Sequence, residues 1–127
     1  MDRQTLYREE LLEHYRNPLN FGELSDYTVS AKQTNPFCGD DVEMFIKLNE
    51  DKVEDIRFTG QGCAISMAGA SILTERVKGK VKSQLTKFSE NDMLNLLGIE
   101  VSETRKKCAL LALSVLKDCI YGVKSKS

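Results

Sequence analysis

Long apolar runs and an excess of charge of either sign are both missing from this sequence. No segment is long enough to cross a bilayer, and the N-terminal stretch MDRQTLYREELLEHYR is charged throughout, unlike a signal peptide. Lys+Arg 18 nearly balances Asp+Glu 19, which gives a net charge of -1. Without an overall basic field, binding to nucleic acid or to membranes is not expected. We therefore expect a cytoplasmic protein.

Internal repeats, low-complexity tracts and linkers are missing as well. The composition, 41% hydrophobic and 29% charged, is that of an ordinary soluble protein. A chain of 127 residues can build an apolar core without disulfide bonds. We therefore expect residues 1–127 to form a single domain.

The four cysteines form no local pattern. Cys38, Cys63 and Cys108 are separated by 25 and 45 residues, spacings that suit neither a redox CxxC motif nor a zinc ribbon. Disulfide bonds are not expected in a reducing cytoplasm. The spacings alone leave open whether these thiols are core side chains or ligands.

The first half of the chain predicts an antiparallel meander of three strands. Residues 41–49, DVEMFIKLN, alternate between apolar and polar side chains, as in a half-buried strand. Residues 53–59, VEDIRFT, follow a tight turn and form its hairpin partner, with Ile56 and Phe58 directed inward. Residues 27–33, YTVSAKQ, predict a third, weaker strand.

Two of the predicted helices flank this meander. Residues 5–16 place apolar side chains near one face. The stretch CAISMAGASILTERVKG, which begins at Cys63, is dense in small residues that let a helix backbone sit close to a sheet. Gly79 is expected to end this helix.

Two further helices are predicted near the C terminus. Ser89 and Asp92 have the spacing of a capping box ahead of a short helix, and Ser102 is placed to cap a final helix over residues 103–121. Strands first and helices second indicate an α+β fold, an antiparallel three-stranded sheet with helices packed on one face.

Three cysteines have surroundings that suit a thiolate or a ligand. Cys38 lies in NPFCGDD, a loop before a strand, two residues from Asp40. Cys63 follows Gly-Gln-Gly and opens a helix, where unpaired backbone amides favour a thiolate. Cys108 follows the basic run at residues 105–107. Neighbouring glycines let a backbone approach an ion closely.

Cys119 is expected to be a small buried hydrophobic residue. It lies 11 residues beyond Cys108, on nearly the same helical face but about 16 Å along the axis. That separation is too large for the two thiols to share one metal ion.

The sequence resembles the U-type iron-sulfur cluster scaffolds, the group of IscU, SufU and the N-terminal domain of NifU. The resemblance rests on EHYRNPLNFG, NPFCGDDVEMFIKL, IRFTGQGCAISMAGASILTERVKGK and KKCALLALSVLK, which occur in the family's order. It implies a site at one end of the molecule with the ligands Cys38, Asp40, Cys63 and Cys108. Thiolates would hold iron or zinc firmly, and the carboxylate would be the ligand most easily replaced.

Three departures from the family pattern affect this assignment. Lys107 stands where IscU proteins place a histidine, so a histidine ligand is not available there. The chain also lacks the insertion that SufU proteins carry between the second and third cysteines, and its segment GIEVSETRKKC has no counterpart of the LPPVK motif that IscU presents to its chaperone.

The function implied by the resemblance is that of a scaffold rather than an enzyme. It would accept sulfur from a cysteine desulfurase, assemble a 2Fe-2S cluster and transfer it to apo iron-sulfur proteins. The alternatives are a SufU-type sulfurtransferase with zinc on the same ligands, and a structural zinc module without sulfur chemistry. A homodimer of the cluster-loaded form is left open.

His14 and the lysines of residues 76–87 have structural interpretations that we prefer. His14, the single histidine, lies near the apolar face of the first helix, which favours packing or a side-chain hydrogen bond over metal ligation. The lysines could bind an acidic partner such as the desulfurase, but a solvated face is the simpler interpretation.

Overall fold

The computed structural model describes residues 3–36 and 39–124, which form three strands and five helices. In chain order these are α1 (Arg3–Arg16), β1 (Val29–Asn35), β2 (Asp40–Asn49), β3 (Lys52–Gln61), α2 (Ala64–Val77), α3 (Lys82–Thr86), α4 (Glu90–Leu97) and α5 (Glu103–Lys124). The order of elements confirms the predicted α+β class.

The three strands form one antiparallel sheet in the order β1-β2-β3. Asn35 of β1 pairs with Asp40 of β2, and Asp41 pairs with Gln61 of β3. The end of β1, the start of β2 and the end of β3 therefore lie side by side. The β2–β3 turn lies at the opposite end of the sheet.

The apolar face of the sheet is covered by α2 and α5, which confirms the prediction that helices pack on one face. Val42, Met44 and Ile46 of β2 are 0% exposed, as are Ile56 and Phe58 of β3. Burying these side chains favours docking of the helices, at about 25 cal/mol per Å² of apolar area.

The small residues of α2 allow close packing against its neighbours. Ala68 and Ala70 are 0% exposed, and a Cβ atom at Gly69 would lie 3.3 Å from Cε of Met93 on α4. The helix ends at Val77, two residues before Gly79, as predicted. The lysine-rich segment that follows α2 therefore lies at the opposite end of the helix from Cys63, about 20 Å away along the axis.

The capping box ahead of α4 is present. Asp92 N donates to the Ser89 hydroxyl at 3.1 Å, and Ser89 N donates to the Asp92 carboxylate at 2.8 Å. The bond from the Ser89 backbone amide to the carboxylate, together with the Ser89 side chain, holds the pKa of Asp92 below its usual range. At the start of α5, the Ser102 carbonyl accepts from the amides of Arg105 and Lys106.

Helix α3 was not predicted from the sequence. This helix has five residues, KSQLT, of which Leu85 is buried. A single turn with one apolar anchor has no measurable periodicity, so tertiary packing rather than sequence pattern defines it. Over the described part of the chain, no helix combines the length and apolarity needed to span a membrane.

Candidate metal centre

Three of the predicted site residues converge at the end of the sheet where β2 begins. Asp40 is the first residue of β2, Cys63 immediately precedes α2, and Cys108 lies in the second turn of α5. One carboxylate oxygen and the two sulfur atoms all lie within 4.8 Å of one another. The fourth predicted ligand, Cys38, lies outside the described residues.

Asp40 is buried and joined to the Cys63 residue by both carboxylate oxygens. Oδ1 accepts a hydrogen bond from the Cys63 backbone amide at 2.9 Å, and Oδ2 lies 3.5 Å from the Cys63 sulfur, whose S–H can donate to it. Asp40 is 1% exposed. The sequence placed this carboxylate in a loop before the strand, whereas it belongs to β2 and is shielded from solvent.

Gly62 makes this arrangement sterically feasible. Its φ of +153° is a conformation that residues with a side chain rarely adopt, and a Cβ atom there would lie 2.3 Å from Oδ1 of Asp40. A side chain at residue 62 would therefore displace the carboxylate from the Cys63 amide. Gly62 therefore gives room to the Asp40 side chain; the prediction that glycine lets the backbone approach an ion stays a prediction.

The two thiols differ in accessibility. Cys63 is half-buried, whereas Cys108 is 4% exposed. Lys107, next to Cys108, is exposed and lines a groove between α5 and the end of β1. Of the two described site thiols, Cys63 is the one that a partner's reactive group can approach more readily.

Ser66 also belongs to the site, although the sequence analysis did not select it. Its hydroxyl lies 3.6 Å from the Cys63 sulfur and donates to the Cys63 carbonyl at 3.1 Å. Ser66 is 1% exposed. The available signal was its position three residues after Cys63, which places it on the same side of the first helical turn.

Cys119 is a core residue, as the sequence predicted. It is 0% exposed, and its sulfur lies 4.0 Å from the carbonyl oxygen of Met44. Burial, together with the negative charge of Asp118, raises the pKa of the Cys119 thiol to about 12. The thiol therefore stays protonated near neutral pH.

His14 forms the side-chain hydrogen bond that the sequence analysis favoured. Its Nδ1 atom lies 2.8 Å from the hydroxyl of Ser71, which also accepts from the Leu19 amide at 2.8 Å. Ser71 is 0% exposed. These bonds fasten α1 and the turn after it to the middle of α2.

The donor atoms of this cluster are chemically suited to a thiophilic metal. Two ligand sulfurs of one tetrahedral zinc ion lie about 3.8 Å apart at Zn–S bonds of about 2.3 Å. The sulfurs of Cys63 and Cys108 lie within 4.8 Å of each other, so they would need to move only slightly closer together to bind one zinc ion. The fold and the site together define an α+β protein with a thiol and carboxylate cluster at one end of its sheet.

Comparison with known proteins identifies the family. A family model described as the NifU-like N terminal domain matches residues 6–127. The chain is 38% identical over 130 aligned positions to the zinc-dependent sulfurtransferase SufU of Bacillus subtilis (strain 168), covering 89% of this chain and 88% of SufU. It is 34% identical to the iron-sulfur cluster assembly scaffold protein IscU of Escherichia coli (strain K12), covering 94% of this chain and 95% of IscU.

A solved structure supports the same fold. The NifU-like protein (N-terminal) from Brucella abortus superposes with a TM-score of 0.80 at 22% identity, over 95% of this chain and 96% of that protein. The chain belongs to the NifU-like N-terminal domain family, which confirms the resemblance to the U-type scaffolds.

Replacing Gly62 with alanine is expected to weaken zinc binding. The new Cβ atom would push Asp40 away from the Cys63 amide and so separate two of the clustered donors. We expect a rise of at least about 10-fold in the zinc Kd, measured by competition with a chromophoric chelator. Gly79→Ala is the matched control, because Gly79 also has a positive φ of +79° but has nothing within 4 Å of the added atom. Equal zinc affinity in both variants would contradict this role of Gly62.

Replacing Cys119 with alanine is expected to leave metal stoichiometry unchanged. The substitution removes one buried sulfur from the core and should lower the free energy of unfolding by about 1 kcal/mol. Cys108→Ala removes the same atom from another buried position of α5 and should lower the metal content. Metal analysis and denaturant unfolding of both variants distinguish the two thiols; metal loss in Cys119→Ala would refute the assignment.

Proposed function

We propose that this protein is a scaffold on which a 2Fe-2S cluster is assembled as transferable cargo. The observation that carries the proposal is the convergence of Asp40, Cys63 and Cys108 at one end of the sheet, with ligand atoms within 4.8 Å. Cys38 completes the proposed set, because it is close in sequence to Asp40. The family membership of the chain supports the same function.

The mixed donor set suits a site that must release its contents. Thiolates are soft ligands that bind iron-sulfur clusters and zinc firmly, whereas a carboxylate is a harder oxygen donor. Oδ1 of Asp40 is engaged by the Cys63 amide, while Oδ2 faces the Cys63 sulfur. An incoming thiolate from a recipient protein could therefore displace Oδ2 while the backbone contact keeps the site assembled.

The proposed partners are a cysteine desulfurase and apo iron-sulfur proteins. A thiolate of the site attacks the terminal sulfur of the donor's persulfide, and the donor's cysteine leaves as a thiolate. This chemistry requires reduced thiols, so a cytoplasmic location is part of the proposal. In this role the protein carries sulfur and cluster and does not itself turn over a substrate.

A zinc-dependent sulfurtransferase is the second candidate function. It is favoured by the similarity to SufU of Bacillus subtilis and by Lys107, which replaces a histidine ligand. The alignment with SufU spans 130 positions, whereas this chain has 127 residues, so the alignment contains gaps opposite SufU residues. These gaps count against a close equivalence to SufU.

Replacing Asp40 with alanine is expected to slow cluster transfer while permitting assembly on the thiolates. The reason is that the variant lacks the ligand that an incoming thiolate displaces most easily. The measurement is the half-time of transfer to an apo-ferredoxin after anaerobic reconstitution, which should lengthen several-fold. Zinc affinity should fall, because a closed tetrahedral site loses one of its four ligands.

Asp40→Asn is the matched control for structural damage. Asparagine keeps an oxygen that can accept from the Cys63 backbone amide. Its side-chain NH₂ group takes the place of Oδ2 and is a hydrogen-bond donor rather than a metal ligand. If both variants transfer more slowly, loss of the ligand is responsible. Faster transfer from either variant, or unchanged transfer and zinc binding in both, would show that Asp40 is not a ligand.

A further inference from the structure

We infer that Ser66 is a positioning residue whose hydroxyl donates a hydrogen bond to the Cys63 sulfur once that sulfur is a metal ligand. This inference rests on the proposed function, because it concerns the loaded state of the same site. It assigns to Ser66 a role in holding and electronically tuning one ligand rather than in binding metal itself.

The geometry allows this donation without movement of any heavy atom. The Ser66 oxygen lies 3.1 Å from the Cys63 carbonyl oxygen and 3.6 Å from the Cys63 sulfur. Sulfur has a larger radius than oxygen, so both atoms are within hydrogen-bonding reach. The hydroxyl carries one proton, and rotation about its Cβ–Oγ bond redirects that proton from the carbonyl to the sulfur.

Whether the Cys63 sulfur binds a metal determines which atom accepts the Ser66 hydroxyl proton. As a thiol, Cys63 can donate its own S–H to Oδ2 of Asp40 at 3.5 Å, and the Ser66 proton satisfies the carbonyl. In the loaded state the sulfur is a metal ligand and no longer carries that proton, while it keeps the negative charge of a bound thiolate. A hydrogen bond to an ionised acceptor is stronger than one to a neutral carbonyl, so the hydroxyl should turn to the sulfur.

Among the described residues, the buried serine hydroxyl is a donor that lies close to the sulfur. Ser66 is 1% exposed, which leaves little room for water to take its place. The Cys63 backbone amide is already directed to Oδ1 of Asp40. Hydrogen bonds to metal-bound sulfurs orient the ligand and change its electron donation, and this is the effect expected of Ser66.

The test is anaerobic titration with cobalt(II), a coloured substitute for zinc, followed by absorption spectroscopy. In Ser66→Ala the sulfur lone pairs lose a stabilising donor, so part of the sulfur-to-cobalt charge-transfer band should move to lower energy. The cobalt Kd should rise roughly 10-fold, as is typical when an outer hydrogen-bond partner is removed.

Thr74→Val is the matched control on the same helix. The Thr74 hydroxyl is buried and donates to the backbone carbonyls of Ala70 and Ser71 at 2.8 and 3.0 Å. Its removal tests the loss of a helix hydroxyl away from the site, and should leave the charge-transfer band in place. An equal band shift in this variant would overturn the inference.

The band position separates failure of this inference from failure of the proposed function. An unchanged band in Ser66→Ala, with or without weaker binding, would overturn the role assigned to Ser66 and leave the metal site intact. Wild-type protein that takes up no cobalt would overturn the metal site, and with it both proposals.

Discussion

The hydrogen bond from the Cys63 amide to Oδ1 of Asp40 is the interaction on which the candidate site depends. It joins the first residue of β2 to the residue immediately before α2, and so fixes where the helix leaves the sheet. The bond has an ordinary length of 2.9 Å, and its acceptor is 1% exposed, so the contact is shielded from water. Gly62 is required beside it because a larger residue would occupy the position of the carboxylate.

The remaining structure brings Cys108 to this junction. Helix α5 packs across β1 and β2, and its inner face extends from Cys108 near the site to Cys119 in the core. The same residue type therefore has two environments on one helix. Cys119 is surrounded by core atoms, and burial raises its pKa to about 12, whereas the Cys108 sulfur lies among other donor atoms.

Much of the fold follows from local patterns in the sequence. The apolar alternation of β2 and the Ser89–Asp92 capping box are local signals, and each appears in the structure as predicted. The burial of Asp40 is not local, because it depends on how the start of β2 meets α2. The contact between Ser66 and Cys63 is local, three residues apart, but that spacing alone does not single out this serine. The ligand set came from resemblance to a family, since residue spacing alone did not distinguish ligands from core cysteines. Helix α3 is too short to have a detectable period.

The central claim is that this end of the sheet holds an iron-sulfur cluster as removable cargo, and its composition after assembly tests that claim most directly. The protein would be purified anaerobically, incubated with iron and sulfide or with a desulfurase and cysteine, and assayed for iron, zinc, acid-labile sulfide and visible absorption. The account predicts equal amounts of iron and sulfide with a 2Fe-2S absorption spectrum that is lost on transfer to an apo-ferredoxin. Tightly held zinc without sulfide after such reconstitution would contradict it.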